Sequence, residues 1–145
     1  MAEAKVIVLG SSNTDFVIRG PRLPSVGETV GEGTFLSVAG GKGANQAVAA
    51  QRAARDDVVF LTAVGDDALG QAALATYQAE GLRTEYARVV PGTASGVALI
   101  MVDAEGENAI SVAPGANAAL MPEDVERVDA AVWRAASVFL ASLEV

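Results

Sequence analysis

Gly40-Gly41-Lys42-Gly43-Ala44-Asn45-Gln46 places a glycine cluster holding one lysine directly ahead of an alanine-rich run, Ala47-Val48-Ala49-Ala50. With no side chains at Gly40, Gly41 and Gly43, backbone N–H groups there can approach a ligand closely. A helix opening at this point turns the positive end of its dipole to the same place. The junction therefore reads as a small polar pocket suited to an oxygen-rich ligand, with a tight strand-to-helix turn and a solvated lysine as the plainer alternative. The string does not fit Gly-x-x-x-x-Gly-Lys-Ser/Thr, which rejects a P-loop, and no Gly-x-Gly-x-x-Gly follows the first strand.

On the N-terminal side, Val6-Ile7-Val8-Leu9 is a β-branched run closed by Gly10, which predicts a strand buried on both faces and the start of a parallel sheet. Asp15–Arg19 and Thr34–Val38 read as short peripheral strands separated by a Gly- and Pro-bearing loop. On the C-terminal side, Ala44–Arg55 reads as a helix and Val58–Val64 as a second buried strand. A further helix is expected from about Asp67 to Glu80, with Leu69, Ala72, Ala73, Thr76 and Tyr77 inward and Gly81 ending it. Strand, helix, strand, helix in this order argues for βαβ units. Arg88–Val90, Gly96–Val102 and Asn108–Val112 then break it, the last two as a hairpin that suggests a lid or an association surface. A helix from Pro122 to about Ala135 and a buried strand over Ser137–Ser142 complete the pattern. The expected fold is α/β, a three-layer Rossmann-like sandwich with an inserted β-strand lid. Because such a strand normally feeds a covering helix, the fold is expected to be incomplete at the C-terminus, the chain being the first part of a larger one, with a C-terminal edge strand as the plainer alternative.

Composition narrows the function. The 145 residues are 51% hydrophobic, enough for one substantial core, and carry a formal net charge of −8. No basic run occurs, which argues against a nucleic-acid partner. The absence of cysteine and histidine excludes disulfides, thiolate nucleophiles, His-based triads and the usual zinc sites. Met1–Lys5 leads into an apolar run too short for a signal segment, and no stretch of about eighteen apolar residues occurs. The expectation is a soluble cytoplasmic chain without a membrane partner.

Asn13 and Asp15 follow the first strand, at the sheet end where open α/β folds bind ligands. Asn offers donor and acceptor together and ionised Asp accepts from hydroxyls, a pairing that suits vicinal diols, although both residues are also common turn formers. Asp66-Asp67 could be a metal or acid pair, but its place before Ala68-Leu69-Gly70 favours helix capping.

Five segments then converge: Asn13-Thr14-Asp15, Gly27-Glu28-Thr29, Gly40 to Ala47, Gly65 to Gly70 and Pro114 to Leu120. In order and spacing they resemble the ribokinase-like carbohydrate kinases across the whole chain, residues 1–145, and the ribokinases more than the fructokinases or adenosine kinases. The resemblance implies transfer of the ATP γ-phosphoryl group to the 5-hydroxyl of D-ribose, with Mg²⁺ and a monovalent cation, K⁺. It implies that Asn13, Asp15, Gly41, Lys42, Gly43, Asn45 and Glu144 hold the sugar. It also implies that strands near 15–19, 34–38, 96–102 and 108–112 form a lid that pairs two subunits in a homodimer. The family's catalytic aspartate lies in a Gly-Ala-Gly-Asp segment beside most nucleotide and cation contacts, and this sequence has no such segment. No catalytic residue is therefore assigned, and the chain alone is expected to be inactive, with a stand-alone sugar-binding or oligomerisation module, or a kinase for another pentose or a nucleoside, as alternatives.

Overall fold

Val6–Leu9 forms β1, the middle strand of a parallel sheet in which Val58–Leu61 (β4) and Val138–Ala141 (β9) flank it. The computed structural model describes residues 6–54 and 57–145, so the expectations for Met1–Lys5 and for the helix end at Arg55 lie outside the described residues. Alternation along β1 and β4 sends Val8, Val58 and Phe60 to one face and Ile7, Leu9, Val59 and Leu61 to the other, all of them buried. Helices Lys42–Ala53 (α1) and Ala68–Ala79 (α2) cover the first face through Ala44, Ala47, Ala73 and Tyr77. The second face is covered by Val125 of Pro122–Glu126 (α3), by Val128, and by Val132 and Trp133 of Ala130–Ala135 (α4). Helices, sheet and helices make the three layers expected of the α/β sandwich.

Around this core the chain builds two more sheets. Asn13–Arg19 (β2), Thr34–Gly40 (β3), Gly96–Val102 (β7) and Asn108–Ala113 (β8) form a four-stranded sheet in the order β3-β2-β7-β8. The pairings β2–β3 and β7–β8 are antiparallel and β2–β7 is parallel. Ala63–Gly65 (β5) and Arg88–Val90 (β6) form a small parallel pair at the far edge of the core.

The structure corrects several local expectations. The Val58–Val64 strand is two strands, β4 and β5, interrupted at buried Thr62, whose carbonyl accepts from Arg88 N at 2.8 Å. The inward face of α2 consists of Gly70, Ala73, Leu74 and Tyr77, while Ala72 and Thr76 point to solvent. Alanine and threonine carry too little apolar bulk to fix a helix's rotation, which is set by the ring of Tyr77 packed edge-on to Phe60, 5.2 Å between centroids. The helix expected over Pro122–Ala135 breaks into α3 and α4 because Asp129, with a non-helical ψ of 134°, caps a new helix by accepting from Ala131 N. This break lets Val128 bury itself between them. The Ser137–Ser142 strand, expected to be buried, is an edge strand here, with Val138, Phe139 and Leu140 exposed because β1 alone pairs with it.

Candidate functional site

β1 belongs to the core sheet and β2 to the four-stranded sheet, so the chain crosses between sheets at Gly10–Ser12. The crossover is held from three sides. Ser11 O accepts from Ala44 N at the start of α1, 2.9 Å, and Ser12 Oγ shares a 2.6 Å hydrogen bond with Tyr77 Oη of α2. The Asn117 side chain, in the 3-10 turn Gly115–Ala119, accepts from Ser12 N at 2.8 Å and donates to Ser12 O at 3.0 Å. Burial raises the Tyr77 pKa, the Ser12 hydrogen bond opposes that rise, and the nearby Asp15 charge reinforces it, so the phenol stays protonated at neutral pH.

Beyond the crossover lies a cavity of about 510 Å³. Asn13, Asp15, Gly41, Lys42, Asn45 and Glu144 all line it, together with Asn117 and the apolar side chains Ala98, Ile100, Ile110 and Val112 of the four-stranded sheet. In that sheet Asp15 sits in register with Val38, Ala98 and Val112, so the carboxylate stands in an apolar row. Desolvation by that burial raises the Asp15 pKa above the usual carboxylate value. Opposite, Lys42 Nζ donates to Glu144 Oε1 at 2.5 Å, across the gap between the start of α1 and the segment after β9. This pair is well exposed, so it joins two parts of the rim more than it stabilises the fold.

The glycines serve the site differently from the sequence reading. A Cβ on Gly40 would overlap the Asp15 carboxylate, so this glycine makes room for an acid on the neighbouring strand. Gly43 does not line the cavity: a Cβ there would sit 2.5 Å from both Gly10 Cα and Ser11 N, so its bareness lets α1 close on β1. Gly41 does line the cavity, with φ of +95°, which a side-chain-bearing residue rarely adopts. Asn13 and Asp15 lie on β2 itself and are not turn formers. Asp67 caps α2, accepting from Gly70 N at 2.8 Å, and also accepts from Ser95 N and Oγ at 2.8 and 2.6 Å. Hydrogen bonds from the Ser95 hydroxyl and N–H, joined by that from Gly70, hold its pKa below the usual value against the opposing effect of desolvation. Asp66 accepts from Gly92 N, and Glu28 closes the loop after β2 by pairing with Arg22 and accepting from Ser25 N. These motif acids are structural. Asn117 and Tyr77 are the members that sequence reasoning missed. An asparagine after Pro-Gly reads as a turn former and a tyrosine on a helix face as core, and nothing local ties either to Ser12.

A model of the pfkB family of carbohydrate kinases matches residues 3–144, and the chain belongs to that family. The curated deoxyribokinase of Salmonella typhi is 41% identical over 122 residues, covering 84% of this chain and 40% of that protein. Among solved structures, ribokinase from Giardia lamblia superposes with a TM-score of 0.88 at 37% identity, over 97% of this chain and 42% of that one. Arabidopsis thaliana ribokinase complexed with ribose and ATP superposes with a TM-score of 0.78 at 32% identity, over 97% of this chain and 45% of that one. The chain thus spans less than half the length of the relatives it matches.

Proposed function

We propose that this chain is the sugar-binding portion of a ribokinase, which transfers the γ-phosphoryl group of ATP to the 5-hydroxyl of D-ribose. One observation carries the reading: amide, carboxylate and ammonium groups from β2, α1 and the segment after β9 meet around a single cavity walled by apolar residues. Apolar walls with a few convergent polar groups suit a small polyol, and Asp15, bound to no protein donor among the described residues, is free to accept from its hydroxyls. The proposed roles are Asn13, Asp15 and Asn45 on sugar hydroxyls, Gly41 as bare backbone against the ring, and the Lys42–Glu144 pair at the rim. Gly43 acts by positioning α1. The four-stranded sheet is the proposed lid, its Asp15 face over the sugar.

ATP and Mg²⁺ belong to the proposed reaction, with K⁺ as the monovalent cation, and the base that deprotonates the hydroxyl lies in the family's Gly-Ala-Gly-Asp segment. The described residues hold no group of three or more acidic side chains placed for a metal, so no metal is assigned to them. Phosphoryl transfer rests on positioning and charge stabilisation, so this portion alone is proposed to be inactive. No described helix is long and apolar enough to cross a membrane, and a cytoplasmic location is proposed. The lid's other face, with Ile18, Phe35, Leu99 and Met101 around a shallow apolar hollow, is proposed to pair with a second copy.

Steady-state kinetics of the complete polypeptide with D-ribose, 2-deoxy-D-ribose and adenosine test the substrate. Ribose should show the highest kcat/KM, and a preference for either competitor would replace it. Lys42→Met should raise KM for ribose more than KM for ATP. Damage confined to ATP would move Lys42 out of the sugar site.

A further inference from the structure

Asn117 is buried, with 3% of its surface exposed, and its amide orientation is fixed by the backbone. Its oxygen must face Ser12 N, because a peptide N–H can only donate, and its NH₂ must face Ser12 O and Pro114 O, because a carbonyl can only accept. The same NH₂ lies 2.8 Å from the Asn13 side chain. Its two hydrogens are shared among these three acceptors, and a second NH₂ at that distance would set donor against donor, so the Asn13 atom facing it is the carbonyl oxygen. Gly96, in register with Asn13, leaves the space for this contact, since a Cβ there would overlap both amides.

We infer that Asn117 is a positioning residue that orients the Asn13 amide, so that Asn13 meets the sugar as a donor through its NH₂. Resting on the sugar-site reading above, this sharpens it. Asn13, which in isolation could give or accept, has its oxygen turned toward Asn117 and its NH₂ left to face the cavity. The cavity then presents an NH₂ donor at Asn13 and an acceptor at Asp15, one residue beyond Thr14 on the same face of β2. A ligand satisfies both by offering a hydroxyl oxygen as acceptor at one place and a hydroxyl hydrogen at the other, an ordered pair that a polyol supplies and an anion without an O–H does not.

The test is a double-mutant cycle on ribose affinity, by calorimetry at pH 8 with the complete polypeptide. Asn117→Asp replaces the donor facing Asn13 by a carboxylate oxygen, which turns the Asn13 amide over. It should weaken ribose binding roughly tenfold, the scale of one hydrogen bond misplaced at a desolvated site. In an Asn13→Ala background, with no amide left to turn, the same change should cost little more. An equal loss in both backgrounds, or no loss in the first, overturns the inference. Absence of ribose binding by the unsubstituted protein removes the sugar site itself, a separate failure. Where a variant does not fold or binds too weakly to measure, NMR of the unsubstituted protein decides. The Asn13 side-chain NH₂ signals must shift when ribose saturates the site, and unmoved signals overturn the inference.

Discussion

The core sheet and the four-stranded sheet both carry large apolar side chains and leave them in opposite states. β1 and β4 place Ile7, Val8, Val58, Val59 and Phe60 at 0% exposure between helical layers. β2, β3, β7 and β8 leave Ile18, Phe35, Leu99, Ile110 and Val112 in the open. The difference is one of covering elements: among the described residues α1 to α4 contribute their apolar cover to the core sheet, and the apolar clusters they form include no side chain of the second. A helix-covered floor and an uncovered roof therefore meet at Ser11–Asn13. The floor carries the glycine turn and Lys42, and the roof carries Asn13 and Asp15. Apolar strands left open on a sheet mark surfaces meant for a ligand or a partner.

Truncating one aromatic in each sheet breaks the comparison most directly. Phe60→Ala, at 0% exposure and packed on Tyr77, should cost about 3–5 kcal/mol in urea denaturation. Phe35→Ala, at 66% exposure, should change the stability of the monomer by less than about 0.5 kcal/mol and instead weaken self-association in sedimentation. A large stability loss at Phe35 would mean that the second sheet is part of the core.

The glycines give the next contrast. Gly43→Ala meets backbone of Gly10 and Ser11, which cannot give way, and should cost about 3 kcal/mol by forcing α1 off β1. Gly40→Ala meets the Asp15 carboxylate, which can rotate, and should cost about 1 kcal/mol while displacing the acid from the cavity. Its signature is ribose affinity lost with the fold retained, and the reverse pattern would exchange the two roles.

Asp15 sharpens the boundary between stability and function. Its folded-state pKa is raised above the unfolded value, so the folded state binds the proton more tightly, and its contribution to stability falls as pH rises through that window. At neutral pH the half-buried charge is a liability. Asp15→Asn should raise the melting temperature at pH 7 and leave it unchanged near pH 3, while weakening ribose use roughly 10- to 100-fold. A lowered melting temperature at pH 7 would show that the charge is paired rather than desolvated.

The smallest effect is expected at the rim. Glu144→Gln removes an ion pair whose side chains are 66% and 64% exposed, and thermal stability should move by less than about 0.5 kcal/mol. On the proposed sugar site, its effect is expected in ribose affinity, measured by calorimetry.

Much of this was legible in the residues. The buried run at Val6–Leu9 and the hairpin expected over Gly96–Val102 and Asn108–Val112 are local patterns and stand where expected, the hairpin one residue longer; of the Asp66-Asp67 pair expected to cap a helix, Asp67 does so. The motif residues Asn13, Asp15, Gly41, Lys42, Asn45 and Glu144 do share one cavity. Less legible was whatever depended on what packs above a residue. The rotation of α2, the break before Asp129 and the exposure of β9 follow from neighbours distant in sequence, and so does the service Gly40 renders to Asp15.

The sequence by itself determined the layers and the family, because hydrophobic period, helix caps and glycine positions act over a few residues and need no partner to be read. Tertiary structure decided the chemistry of the cavity. Asn117 reaches Ser12 across 105 positions and Lys42 reaches Glu144 across 102. Whether an asparagine gives or accepts a hydrogen bond is settled only when its neighbours have taken one of its two ends.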